Sequence, residues 1–184
     1  THNGLELREA ILTGIEQANQ LIINNTCGAA TTIAITEING RLVRTYHAGD
    51  SEILITGQRG KIKYQTLAHS PVGYAVESGL LNNEQAIMHA ERHIVSNVLG
   101  YRDMHVSVGT QVRLDPRDTL LVATDGLFDN LHKTEIVDYI RKGKLINCCN
   151  ALIDNTYQRM MEDDPEHPSK HDDLTFILFR LSRD

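Results

Sequence analysis

The sequence predicts an α+β domain built on antiparallel sheets, and three observations predict it. β-Branched runs gather in the first third of the chain and are joined by tight turns, Asn39-Gly40 above all. Helical stripes fall in blocks between the strands instead of alternating with them. Two late apolar runs, 120–123 and 174–181, each abut an acid: Thr124-Asp125-Gly126 closes the first and His171-Asp172-Asp173 opens the second. If these two strands run antiparallel in one sheet, Asp125 and Asp172 share a sheet end.

Taken in order, residues 5–23 place Leu7, Ile11, Ile15, Ala18 and Ile22 on one helical stripe. Asn24-Asn25 and Gly28 end it, and residues 30–35 begin a strand. The hairpin signal at Asn39-Gly40 leads into a second strand over 41–47. Ala48-Gly49-Asp50-Ser51 interrupts the strand pattern, Ile53-Leu54-Ile55 resumes it, and Gly57-Gln58-Arg59-Gly60 turns into 61–67. The first third therefore reads as one helix followed by a β-meander. Residues 69–79 hold Pro71, Gly73 and Gly79 with little periodicity, which reads as a loop. Asn82 or Asn83 caps a helix with Ile87, Ala90, Ile94 and Val98 on its apolar face, closed by Gly100. A strand over 106–114 and the turn Asp115-Pro116-Arg117-Asp118 precede the central strand. Helices follow over 134–141, using Ile136 and Ile140, and over 145–161, with Cys149, Leu152, Tyr157 and Met160 or Met161 inward. Residues 162–170 form an acidic, Pro-containing surface loop.

The bulk properties bound the function. At 184 residues the chain is the size of one ordinary domain, and a net charge of −6 without a basic run leaves no footprint for nucleic acid. No apolar stretch has the length of a membrane span, and no secretory pattern is present. Cys27, Cys148 and Cys149 lack C-x-x-C spacing and read as buried reduced thiols, with a cytoplasmic compartment as the default.

Taken singly, Asp-Gly and Asp-Asp are ordinary turn residues. Placed at adjoining strand ends, their carboxylates need a compensating cation or a raised pKa, and an all-oxygen set suits Mg²⁺ or Mn²⁺. Rival signals are weaker. His89 and His93 stand i, i+4 on the expected helix, but Glu91 is misplaced for a zincin, so both read as ordinary helix residues. Gly57, Gly60 and Lys61 are too closely spaced for a P-loop, Ser51 lacks a nucleophile elbow, and His69 and His171 read as structural.

Several segments, in order, resemble motifs of the PP2C (PPM) family of metal-dependent serine/threonine protein phosphatases. Thr31-Thr32 is similar to its G-T/S-T strand start. Ala48-Gly49-Asp50-Ser51 matches G-D-S, with Glu52 where Arg is usual. Leu67-Ala68-His69-Ser70 resembles L-T-x-D-H with the Asp lost. Ala123-Thr124-Asp125-Gly126-Leu127-Phe128-Asp129 matches S-D-G-L-x-D, and Asp172-Asp173-Leu174-Thr175 matches D-N-I-T. The resemblance implies a four-layer α/β/β/α sandwich of two antiparallel sheets flanked by helices. It also implies Mg²⁺ or Mn²⁺ as cofactor, Asp125 and Asp172 as metal ligands, and Asp50 beside Asp125 at a third metal position. The implied substrate is a phosphoprotein, either a Ser/Thr kinase or an anti-sigma-factor antagonist. A non-catalytic module on the same scaffold is the alternative.

The family's upstream motif D-G-x-G-G, an early acidic ligand and a phosphate-binding Arg have no counterpart here, and no Gly-Gly pair occurs. The chain, starting at Thr1, therefore reads as one domain over 1–184 lacking its N-terminal strands, the C-terminal three-quarters of the family domain. Its catalytic residues stay unassigned, and an exposed sheet edge that favours self-association is expected.

Overall fold

A computed structural model of the protein describes residues 2–26, 28–162 and 167–181. After helix α1 (His2–Asn25), strands β1 (Ile33–Asn39) and β2 (Leu42–Ala48) form an antiparallel hairpin with register Ile33↔Ala48 to Asn39↔Leu42. Gly40 turns it at φ 58°, a left-handed conformation that glycine adopts without penalty.

The expected meander stops there. At Gly49-Asp50-Ser51 the chain leaves the first sheet, and β3 (Glu52–Thr56) pairs with β4 (Ile62–Gln65) in a second one. All five β3 residues are buried, which requires cover on both sheet faces and a strand on each side. Gly49 makes the crossing at φ 118°, packed so closely on Thr32 that a side chain would collide. The first sheet is completed by β5 (Ser107–Val108) and β6 (Val112–Arg113), both antiparallel to β2. They divide the strand expected over 106–114 at Gly109, where Tyr64 and Thr45 occupy the space of a Cβ.

In the second sheet, β7 (Thr119–Ala123) lies between β3 and β8 (Phe176–Phe179), giving the order β4-β3-β7-β8, all antiparallel. The β7–β8 pairing is the one the sequence predicts. Alternation along β3 sorts the core. Ile53 and Ile55 meet Val43, Leu114 and Leu120 between the sheets. Leu54 and Leu121 point the other way, onto Leu127, Ile136, Ile140 and Leu152 from helices α4 (Asp125–Phe128), α5 (Lys133–Ile140) and α6 (Leu145–Met161). Ile15 of α1 covers the outer face of the first sheet with Tyr46, Ala48 and Leu99. Each fully buried Leu or Ile contributes about 1.5–3 kcal/mol. The four layers are α/β/β/α.

Three local expectations are corrected. Residues 71–77 are helix α2 (Pro71–Glu77), not loop: Ser70 accepts the Gly73 amide at 2.9 Å, and Pro71 occupies the first turn, where its missing N–H costs nothing. Helix α3 (Asn83–Ile87) has the Asn82–Gln85 capping box but stops after Ile87, and Ile94 is exposed. The His89 ring takes the Glu91 amide at 3.1 Å, so His89 and His93 do not share a helix face. In α6 the inward row is Cys148, Leu152, Thr156 and Met160, while Tyr157 is 49% exposed and Cys149 half-buried. Cys148 and Cys149 are free thiols, and Cys27 lies outside the described residues. Among the described residues no helix is long and apolar enough to cross a membrane.

Candidate active site

Strand register brings three acids to one end of the second sheet. Glu52 at the start of β3 pairs with Ala123 at the end of β7, which pairs with Phe176 at the start of β8. Asp50 precedes β3, Asp125 follows β7 and Asp172 precedes β8, so all three leave the sheet on the same side. Asp125 opens α4, where the helix dipole favours a carboxylate, and Asp129 lies one turn further on the same face. Gly126 packs on the backbone of Asp173, a contact that leaves no room for a Cβ. That close approach joins the Asp125 turn to the Asp172 turn.

The carboxylates meet on a lysine. The Lys170 ammonium contacts Asp125 Oδ2 at 2.6 Å, Asp129 Oδ2 at 2.9 Å and Asp172 Oδ2 at 2.9 Å. Contacts of 2.6 and 2.9 Å to one nitrogen hold the Asp125 and Asp172 oxygens no more than 5.5 Å apart. Asn130, fully buried, clamps the lysine backbone from both sides: its Oδ1 accepts the Lys170 amide at 2.7 Å and its Nδ2 donates to the Lys170 carbonyl at 2.9 Å. Asn130 Nδ2 also donates to the Gly126 carbonyl at 2.9 Å. Arg92 stands 4.0 Å from Asp129 and donates to the Ser169 carbonyl at 2.9 Å. Sequence reading left out Lys170, Asn130 and Arg92. The one local signal was a cation two residues before Asp172.

Electrostatics follow from this crowding. Burial first, and then the charge of Asp125, push Asp50 up to about 6. Burial also raises Asp129 against the pull of Lys170. The hydrogen bond from Lys170 holds Asp172 below the usual carboxylate range. Burial alone would lower Lys170, but its bonds to Asp125, Asp172 and Asp129 hold it far above the ordinary lysine value. Beside the cluster opens a cavity of about 890 Å³, lined among others by Asp50, Glu52, Arg92, Asp125, Asp129 and Lys133. Glu52, buried where the resembled motif has Arg, pairs with Lys133 at 3.5 Å and accepts from Gln65 at 2.6 Å; burial raises its pKa.

The Asp50 turn is held from behind by His69. The Gly49 amide donates to His69 Nδ1 at 3.1 Å, Asn97 Nδ2 donates to the same nitrogen at 2.8 Å, and the His69 amide donates to the Gly49 carbonyl at 2.9 Å. Two donors on Nδ1 require it unprotonated, so the proton sits on Nε2, 2.8 Å from Ser107 Oγ. His47 stacks on this ring at 4.4 Å and His105 lies at 5.1 Å. Burial, with His47 and His105 alongside, pushes the His69 pKa down to about 4. His171 is exposed on the loop.

A family model described as Stage II sporulation protein E (SpoIIE) matches residues 2–182. The chain belongs to the SpoIIE/PP2C family. A relative of this PP2C-family chain, protein phosphatase PhpP of Streptococcus pneumoniae, is 31% identical over 115 residues, covering 61% of this chain and 46% of that protein. The serine/threonine phosphatase of S. agalactiae superposes with a TM-score of 0.73 at 29% identity, covering 84% of this chain and 66% of that one. The catalytic domain of the phosphatase PstP, solved with two manganese ions, superposes at 0.62 and 21% identity, covering 77% and 59%. The sandwich is thus the PP2C fold. The chain spans about half the length of the curated relatives it matches.

For a PP2C-type metal the donor chemistry fits: Asp50, Asp125, Asp129 and Asp172 offer only oxygen, as hard divalent ions require. The arrangement is not a closed cage, since among the described residues no three His, Cys, Asp or Glu side chains converge to hold an ion.

Proposed function

We propose that the protein takes part in metal-dependent hydrolysis of phosphoserine and phosphothreonine in proteins, as a PP2C-type phosphatase of the cytoplasm. The observation that carries this reading is the gathering of Asp50, Asp125 and Asp172 at one sheet end, beside a cavity of about 890 Å³. Asp125 and Asp172 would hold Mg²⁺ or Mn²⁺, with Asp50 beside Asp125 at a further metal position on the cavity wall. Bound there, such a metal lowers the pKa of water and offsets phosphoryl charge. The chain's own residues supply position and field. The Gly126–Asp173 contact fixes the spacing of the two ligands, Asn130 fixes the loop before Asp172, and Arg92 and Lys133, paired with Asp129 and Glu52, are the cations of the cavity wall that a phosphoryl group would meet. The substrate is a phosphoprotein, a Ser/Thr kinase or an anti-sigma-factor antagonist; β8, an edge strand of its sheet with Ile177 64% exposed, favours association with a second chain.

One observation favours the other reading, a non-catalytic module: the Lys170 ammonium already contacts Asp125, Asp129 and Asp172. Mn²⁺ titration and p-nitrophenyl phosphate hydrolysis separate the two. The 184-residue chain is expected to bind Mn²⁺ weakly and to hydrolyse the ester little above background. A longer protein that also carries D-G-x-G-G is expected to be active, and Asp125→Asn in it to lose most of that activity. Full activity from the 184 residues, or an unimpaired Asp125→Asn variant of the longer protein, would overturn this account.

A further inference from the structure

We propose that Lys170 is a tethered cation that competes with divalent metal for Asp125 and Asp172, so that metal entry requires the ammonium to leave. The inference rests on the metal reading above. An ammonium has three N–H donors, and here the three carboxylates take all three, at 2.6, 2.9 and 2.9 Å. It therefore sits between the oxygens a divalent ion would have to approach to about 2.0–2.1 Å for Mg²⁺. Each contact engages one Oδ2, and the mutual repulsion of an ammonium and a divalent ion at such range disfavours joint occupancy.

The lysine is also built to stay nearby. Its backbone is fixed on both sides by buried Asn130, which in turn is bonded to the Gly126 carbonyl in the Asp125 helix. Only the four-carbon stem is free to move, and the side chain keeps 24% of its surface exposed. An ordinary surface ion pair has no such anchor. Arg92, whose contact with Asp129 is 4.0 Å, does not replace it. Losing even one charge-assisted hydrogen bond of the competitor is worth at least about tenfold in metal affinity.

Isothermal titration with Mn²⁺, on the 184-residue protein and its variants, tests this. Lys170→Met is expected to bind Mn²⁺ at least about tenfold more tightly than wild type, and Lys170→Arg, which keeps the charge, to stay within about threefold of it. Equal or weaker binding by Lys170→Met overturns the competition while leaving the metal site standing. Absence of Mn²⁺ binding by both proteins overturns the competition and the metal reading together. A second measurement needs no variant: reductive methylation of wild type, read by peptide mass spectrometry, is expected to run severalfold faster at Lys170 in saturating Mn²⁺, with the other lysines unchanged. An unchanged rate at Lys170 overturns the proposal.

Discussion

Acidification should weaken the fold through one ring, and the size of the effect follows from the geometry. His69 is buried, accepts two hydrogen bonds at Nδ1 and has its pKa pushed from 6.5 to about 4. A base whose pKa falls on folding binds fewer protons folded than unfolded between these values. The stability it contributes is therefore whole above pH 6.5 and lost as pH falls toward 4. At 1.36 kcal/mol per pKa unit the loss is about 3 kcal/mol. Asp50, raised from 3.8 to about 6, acts with the opposite sign over much of the same window, and buried His47, also lowered, acts with the same sign as His69. Comparison by difference removes both. His69→Asn keeps an acceptor for Gly49 but titrates nowhere in this range. In urea denaturation followed by far-UV circular dichroism, the variant should be least competitive at pH 7.5. Its deficit against wild type should shrink by about 3 kcal/mol by pH 4. A deficit that does not change with pH would refute the assignment of His69 as a neutral, Nε2-protonated support of the Asp50 turn.

Asn130→Ala removes three hydrogen bonds from a fully buried side chain, and the expected cost is about 2–3 kcal/mol, read from the same denaturation curves, together with weaker Mn²⁺ binding because the Asp172 loop is released. Gly126→Ala drives a methyl into the Asp173 backbone, with an expected loss of about 1–3 kcal/mol in spite of the gain in helix propensity; a neutral effect would show that the two turns are less tightly joined than the structure places them.

The convergence of Asp125 and Asp172 was legible in the sequence because strand polarity does the work, whereas Asp50 came from the resemblance of Gly49-Asp50-Ser51 to a family motif. Adjacent antiparallel strands put the end of one beside the start of the next, so acids flanking them converge whatever the loops do. Lys170 was not legible: it lies in an acidic, Pro-containing loop, and its partners Asp125, Asp129 and Asn130 are forty or more residues away in sequence. Helix α2 was hidden by reading Pro71 and Gly73 as breakers, although Pro at a first helical turn after Ser is a start signal. The helix through Ile94 was over-extended because periodicity cannot register a side chain, here His89, that captures a backbone amide. The change of sheet at Gly49 is a matter of which strand finds which partner, and local alternation is the same in either case.

Strand β3 lies inside its sheet with every residue buried, whereas β8 sits at the edge with Ile177 turned to solvent. Amide exchange should therefore be slowest along β3 and β7, opening only with the whole molecule, and faster along β8, which can detach locally. The acids divide along the same line: Asp50 and Asp125 are rooted in the slow centre, and Asp172 in the fast margin. Any cation spanning Asp125 and Asp172, whether the Lys170 ammonium or a metal, thereby acts as a latch between centre and margin. Its grip sets how often β8 opens.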